Sequence, residues 1–204
     1  MNMKLNQNKQ KPQTKIDLSS LLIADFTYVA QTAFQANEER AKATTFYLLS
    51  VVSVLATVWA TNSPYVDHAK TALAFSVIFG LLSIFGIITL LQLARLRASW
   101  FDSVQAMNAI KMYALQSQKT LVENPFPWTQ ANLPKKFKAK SIAAFLALQV
   151  LVMSSVTCGA CIFHFGQYIN INSSLVVPAF LGAIVWASIS LLLYFWVLNE
   201  IWIA

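Results

Sequence analysis

The stretch ATTFYLLSVVSVLATVWAT, residues 43–61, contains no charged side chain, no proline and no glycine. Its 19 residues match the ~20 that an α-helix needs to cross the ~30 Å hydrocarbon layer of a bilayer. Three further uncharged, apolar stretches of comparable length follow it, at residues 71–94, 141–163 and 175–198. The sequence therefore predicts an all-α membrane protein with four transmembrane helices.

The composition agrees with a membrane environment. Hydrophobic residues make up 57% of the chain and charged residues only 11%, and the mean hydropathy is +0.55. A chain of 204 residues has too little interior to hide this much apolar surface from water, so we expect lipid to cover the remainder.

Basic residues are distributed unevenly between the segments that flank these spans. Six Lys and Arg precede the first span, one (Lys70) lies between the first two, eight lie between the second and third, and none follows. Basic flanks stay on the cytoplasmic side, which predicts a plasma-membrane protein with both termini and residues 95–140 in the cytoplasm. We attribute the net charge of +7 to topology and contact with anionic lipids rather than to nucleic acid, because no nucleic-acid-binding motif is present.

The first half of the chain is predicted to carry helical arms outside the membrane. After a polar tail at residues 1–17, which we expect to be flexible, apolar residues recur at three- and four-residue steps before the first span and after the second. These positions are Leu22, Phe26, Val29, Ala33 and Ala36, then Leu96, Trp100, Val104, Met107, Ile110 and Ala114. Because the turn between the two spans is short, residues 18–118 are predicted to extend into an antiparallel cytoplasmic helical hairpin.

Two apolar stripes on these arms form the predicted cytoplasmic assembly face, which consists of Leu22, Phe26, Trp100, Val104 and Met107. Neither narrow stripe can bury itself alone. The stripes pack against each other within one chain, or they pack between copies in a homo-oligomer.

Residues 119–140 interrupt the helical pattern with three prolines, Pro125, Pro127 and Pro134. They are predicted to form a linker at head-group depth before the last two spans, which occupy residues 141–204. Four lysines close the linker and are expected to contact lipid head groups: Lys135, Lys136, Lys138 and Lys140. A docking motif for a cytoplasmic protein partner is the alternative interpretation of this segment.

Small residues share one face of the second span and one face of the fourth. They are Ser76, Gly80 and Ser83, and Ala179, Ala183 and Ala187. In lipid, helices associate through close packing and hydrogen bonds, so both faces are expected to be helix-packing surfaces, within one chain or between chains.

A weakly polar stripe runs along the first span at steps of three and four residues. It consists of Ser50, Ser53, Thr57 and Thr61. Repeated around the axis of a symmetric oligomer, it would line a narrow, neutral pore. The alternative is that each hydroxyl bonds to its own helix or to a neighbouring one.

Cys158, Cys161 and His164 lie within one arc of the third helix. Small-residue packing, thiol redox chemistry and metal binding are all compatible with this arrangement. A four-span membrane thiol oxidoreductase uses a second cysteine pair, which this chain lacks, and a metal site would need a fourth ligand. We therefore expect no bound metal.

Other catalytic signatures are missing from the sequence. The five glycines all lie in spans or at their outer ends, so no phosphate-binding loop is predicted, and the two histidines belong to no nucleophilic triad or zinc motif. The sequence thus predicts a protein that is not an enzyme and needs no cofactor.

The charged helix NEERAKATTFY at residues 37–47 leads into the first span. The chain returns through the second span, and a helix around residues 100–113 follows. In this arrangement, residues 20–118 resemble SLATT-type bacterial conflict membrane effectors. The third and fourth spans are additions to the usual two-span form. The resemblance implies oligomerisation and membrane disruption under the control of a cytoplasmic partner.

These patterns lead to one functional expectation with two alternatives. We expect a non-enzymatic, oligomeric membrane protein that acts as a pore-forming or membrane-disrupting effector controlled through its cytoplasmic helices. The first alternative is a static membrane scaffold or accessory subunit of a larger complex. The second is a membrane thiol oxidoreductase that uses Cys158 and Cys161.

Overall fold

The computed structural model describes residues 18–60, 68–117, 133, 135, 137–171 and 174–200. Within these residues the chain forms four α-helices and no strand: α1 (Leu18–Ala60), α2 (His68–Ser117), α3 (Ile142–Tyr168) and α4 (Val176–Glu200). Each helix is long and apolar enough to cross a membrane. The predicted all-α architecture, with four helices long and apolar enough to span a membrane, is confirmed.

The first two helices are much longer than a bilayer requires. α1 has 43 residues and α2 has 50, which correspond to ~65 and ~75 Å at 1.5 Å per residue. α1 continues through its charged segment, where Lys42 lies 3.9 Å from Glu38 and 3.4 Å from Glu39. We call the parts beyond the apolar stretches, residues 18–42 of α1 and 95–117 of α2, the arms, and the end of the bundle that carries them the arm end.

The last two helices end close to the limits of their apolar stretches. The Ser141 side chain caps α3 by accepting a hydrogen bond from the Ala144 backbone N–H at 3.3 Å. α3 continues beyond the apolar stretch that ends at residue 163, and the chain turns where Asn170 adopts a left-handed backbone with φ 53°. Pro178 lies in the first turn of α4, where a missing backbone N–H breaks no helical bond.

α2 and α3 form the centre of the bundle. Each contacts all three other helices, whereas α1 and α4 lie on opposite sides of this pair and make no close backbone contact along their described lengths. The core between them contains fully buried side chains such as Tyr47, Phe79 and Val150. Large apolar side chains such as Phe180 and Leu192 are exposed on the outside, as expected for a bundle that lipid surrounds.

α1 and α2 run antiparallel, and their contact extends along both arms. At the level of the apolar stretches, the rings of Phe46 and Tyr47 lie edge-on to Phe85, with centroids 5.9 and 5.7 Å apart. Far along the arms, the Lys111 ammonium lies 5.8 Å from the centre of the Phe26 ring. As positions on α1 fall, their partners on α2 rise, as an antiparallel pair requires.

Three helices approach one another closely at Gly86 on α2. A Cβ atom added there would lie 2.5 Å from both side-chain heavy atoms of Ser154 on α3 and 2.7 Å from the Tyr47 hydroxyl on α1. These separations are too short for non-bonded atoms. Glycine therefore lets three helices meet at one level, as small residues do in membrane bundles.

We expect Gly86→Ala to destabilise the protein by about 1–3 kcal/mol, because its methyl group forces α2 away from α3. The free energy of unfolding in detergent micelles, followed by circular dichroism, measures this loss. Gly80→Ala is the matched control on the same helix, since a Cβ there meets only the Cys161 sulfur at an ordinary 3.4 Å. Equal stability of the two variants would contradict the packing described here.

Candidate functional site

A cluster of buried hydroxyl groups lies between the helices at the centre of the bundle. The hydroxyl oxygens of Ser83 and Thr157 are 3.0 Å apart. The Ser154 hydroxyl donates to the Ser83 carbonyl oxygen at 3.0 Å and accepts from the Trp186 indole N–H at 3.0 Å. The Tyr47 hydroxyl lies beside Ser154 and Thr157. All four helices thus contribute a side chain to what we call the hydroxyl cluster.

The hydroxyl cluster contains no ionisable carboxylate, amine or imidazole. Ser83, Ser154 and Thr157 are at most 2% exposed, so lipid and water do not compete for their hydrogen bonds. Such bonds hold helices in one relative orientation where apolar contacts alone would permit sliding. Chemically, the cluster can specify helix register, but it offers no group for acid–base catalysis near neutral pH.

A second unusual feature lies at the arm end, where two arginines are buried. Arg40 on α1 and Arg97 on α2 are only 5% and 7% exposed. Arg40 donates through Nε to the Ala36 carbonyl oxygen at 3.2 Å and through Nη2 to the Asn37 side-chain oxygen. The Arg97 guanidinium lies 4.3 Å from the centre of the Trp100 ring and donates to the Lys135 carbonyl oxygen at 3.4 Å.

These two arginines influence each other electrostatically. Burial lowers the pKa of both guanidinium groups, and the positive charge of Arg97 lowers the pKa of Arg40 further. Tyr194 on α4 acts in the opposite direction on both. Guanidinium groups stay protonated even so, and the arm end therefore holds two buried positive charges, one on α1 and one on α2, within the electrostatic influence of Tyr194.

The small faces predicted on the second and fourth spans lie against α3. The Ser76 hydroxyl donates to the Cys161 carbonyl oxygen at 3.1 Å, and Gly80 faces the Cys161 sulfur. A Cβ added at Gly159 would lie 3.1 Å from the Ala179 carbonyl oxygen and 3.4 Å from the Ala183 methyl group. Ser83 belongs to the hydroxyl cluster, and Ala187 is half-buried one turn beyond Ala183.

The predicted assembly face lies where the two arms meet. Val104 is buried, and Leu22, Phe26, Trp100 and Met107 are half-buried. Phe26 contacts Lys111, and Trp100 contacts Arg97, as described above. Among the residues of this face, the structure therefore shows contacts within one chain.

The polar stripe of α1 faces away from the other helices. Ser53 and Thr57 are exposed, and Ser50 is half-buried. Each hydroxyl donates to the carbonyl oxygen four residues earlier, at 2.9 Å for Ser50, 2.8 Å for Ser53 and 2.9 Å for Thr57. Thr61 lies outside the described residues. A single bundle therefore encloses no channel along this stripe, and its role as a pore lining stays a prediction.

Cys158 and Cys161 are free thiols, each half-buried. His164 lies in an aromatic environment, with its ring stacked on Phe79 at a centroid distance of 5.7 Å and its Nδ1 atom 3.1 Å from the Gln167 side-chain oxygen. No group of three metal-ligating side chains occurs among the described residues.

The basic end of the linker lies at the arm end, directly before the start of α3. Lys135, Lys138 and Lys140 are exposed, as head-group contact requires, while Lys136 lies outside the described residues. The Lys138 carbonyl oxygen accepts the Ser141 backbone N–H at 3.0 Å, which ties the lysines to the start of α3.

Sequence reasoning missed the buried arginines and most of the hydroxyl cluster. Arg40 follows Ala36 by four residues and so continues the apolar stripe of the first arm, which was the available signal for its burial. Ser154 and Thr157 are three residues apart within an apolar helix. Their partners on α2 and α4 are far away in sequence, so no local pattern could have revealed those contacts.

A double-mutant cycle on Ser154→Ala and Trp186→Phe tests the hydroxyl cluster. We expect a coupling of about 0.6 kcal/mol between the two changes, the average value for hydrogen bonds between membrane helices. Unfolding free energies of the wild type, both single variants and the double variant in bicelles supply this number. Ser155→Ala paired with Trp186→Phe is the control, since the Ser155 hydroxyl bonds to Leu151 of its own helix. Coupling of the same size in both cycles would disprove the specific contact.

No protein-family model, curated protein or solved structure matches this chain.

Proposed function

We propose that this chain is a non-enzymatic plasma-membrane protein that assembles into homo-oligomers through its cytoplasmic arms and, once assembled, opens or disrupts the bilayer. The observation that carries the proposal is a set of exposed apolar side chains on the arm of α1. They point away from α2 and precede the apolar stretch at residues 43–61. The orientation follows from the basic flanks, which favour the cytoplasm for the arm end.

Four large apolar side chains on this arm are each more than half exposed, with Ile23 and Phe34 on one side of α1 and Leu21 and Tyr28 on another. Their exposed fractions are 54% for Leu21, 68% for Ile23, 68% for Tyr28 and 65% for Phe34. All four precede the charged segment at residues 37–42, which cannot enter the hydrocarbon layer cheaply. They therefore lie outside the bilayer core, where neighbouring exposed large apolar side chains mark an interaction site.

The exposed apolar side chains are directed away from the contact between the arms. Ala33, Ala36 and Arg40 are the buried residues of this arm. Ile23 and Phe34 are eleven residues apart, which is close to three helical turns, so they share one side of α1. That side is distinct from the buried one. Each arm pair therefore retains an apolar side, and a second copy of the chain can cover it.

The stripe of Ser50, Ser53 and Thr57 supports a pore built from several copies. These side chains lie on the outside of one bundle, so they line an enclosed space only when several bundles surround a common axis. Their bonds to the preceding turn use the hydroxyl hydrogen, and the lone pairs of a hydroxyl oxygen can accept a hydrogen bond from water. The proposal thus requires assembly before conduction, with control by a cytoplasmic partner acting on the arms.

We expect Ile23→Glu with Phe34→Glu to shift the protein from a closed oligomer to a monomer, because two charges replace the apolar contact. Mass photometry or light scattering of protein extracted in mild detergent measures the subunit number. Gln31→Glu with Gln35→Glu adds the same charge at exposed polar positions of the same arm and should leave assembly unchanged. A monomeric wild type, or a one-to-one complex with a different protein, would refute the homo-oligomer.

The pore can be tested separately from assembly by measuring flux. We expect Ser53→Phe and Thr57→Phe to reduce ion or dye flux through reconstituted oligomers by about tenfold or more, because bulky apolar rings narrow and dewet the pore. Val52→Phe is the control, since Val52 is an exposed apolar neighbour on another side of α1. Flux that is equal in all three variants would remove the stripe from the pore while leaving assembly intact.

A further inference from the structure

A crevice of about 190 Å³ lies at the arm end between α3, α4 and the last turns of the apolar stretch of α2. Leu90 contributes from α2, Ala144 and Leu148 from α3, and Leu191 from α4. Phe137 and Ala139 of the linker close the end nearest the arms. The walls are apolar except for the hydroxyl groups of Ser190 and Tyr194.

The crevice opens sideways, toward the surface that lipid covers. Leu148 is 51% exposed and Leu191 is 44% exposed, so the side chains that flank the opening are on the outer face of α3 and α4. Its volume is below the ~300 Å³ at which pockets for whole soluble ligands begin. A space of this size and position suits a segment of a molecule whose remainder stays in the bilayer, such as one acyl chain.

The end of the crevice nearest the arms is strongly basic. Ala139, which lines it, lies between Lys138 and Lys140, and both lysines are exposed. Arg97 donates to the backbone of the same linker at Lys135. The sequence contains no Asp or Glu between residues 124 and 199, so this segment brings no negative charge of its own to the mouth. An anionic group is the complementary occupant.

A polar group inside the crevice supports the same occupant. Ser190 is 1% exposed, and its hydroxyl oxygen has no hydrogen-bond partner among the described residues. It lies one helical turn deeper in the membrane than Tyr194. The ester carbonyl groups of a phospholipid also lie deeper than its phosphate, so an acceptor for the Ser190 hydroxyl is available in a bound lipid.

We propose that this crevice is a binding site for one anionic phospholipid per chain. One acyl chain fills the space between Leu148 and Leu191, an ester carbonyl accepts from Ser190, and the phosphate faces Lys138 and Lys140. The site needs only insertion of the four helices in a bilayer and does not depend on the pore or on the oligomer. Basic residues attract anionic lipids to the membrane surface in general, whereas this site would select one anionic lipid at a defined place on the bundle.

The test uses the full chain in nanodiscs that contain equal amounts of phosphatidylglycerol and phosphatidylcholine, with retained lipids counted by native mass spectrometry. We expect one phosphatidylglycerol per chain. Lys138→Gln or Lys140→Gln should each weaken the preference for phosphatidylglycerol about fivefold, the effect of one basic residue at the membrane surface. Arg95→Gln removes an exposed charge at the same end of the bundle and should leave the preference unchanged.

Filling the crevice supplies a second, independent measurement. We expect Ala144→Phe to reduce lipid retention about tenfold, because its ring occupies the space of the acyl chain. Ala143→Phe places the same ring on the neighbouring residue, which does not line the crevice, and should retain the lipid. Equal retention of phosphatidylcholine, an Arg95→Gln effect as large as that of the lysines, or unchanged retention in Ala144→Phe would each overturn the proposal.

Discussion

The close contact of α2 with α3 is the constraint on which the rest of this bundle depends. Lipid gives helices no hydrophobic reason to associate, so contact must come from close approach and hydrogen bonding. Gly86 permits that approach, and Ser83, Ser154 and Thr157 bond across it. α1 and α4 then pack on either side of this pair. Each of them contributes one side chain to the hydroxyl cluster, Tyr47 from α1 and Trp186 from α4.

The same central pair determines what happens at the arm end. Because α1 runs antiparallel along α2, Arg40 is placed near Arg97 at the level where the helices leave the apolar region. Two like charges at this position oppose close packing, while Trp100 and Tyr194 moderate the effect. The charges of the arm end and the tight contacts of the bundle centre therefore lie at different levels along the helices. We propose assembly as the role of the arms and lipid selection as the role of the crevice.

Much of the architecture was predictable because it follows from local pattern. Uncharged stretches of membrane length identified the four helices, and the three- and four-residue steps of apolar residues predicted the helical arms. The small residues of α2 and α4 were recognised as helix contacts from their spacing, yet nothing local indicated that α3 is the partner of both. Likewise, Arg40 and Arg97 were counted among the charges that orient the chain, whereas the fold buries both.

The sequence by itself determined that this protein needs a lipid environment. It also determined the number and length of the helices and the end of the bundle that carries the positive charge. These properties depend on residues close together in the chain, through helical periodicity and the cost of placing charge in hydrocarbon. Only the tertiary structure decided which hydroxyls meet, that the polar stripe of α1 faces outward and that an apolar crevice lies beside Lys138 and Lys140. Those features require the rotation of each helix about its axis, which is set by contacts between residues distant in sequence.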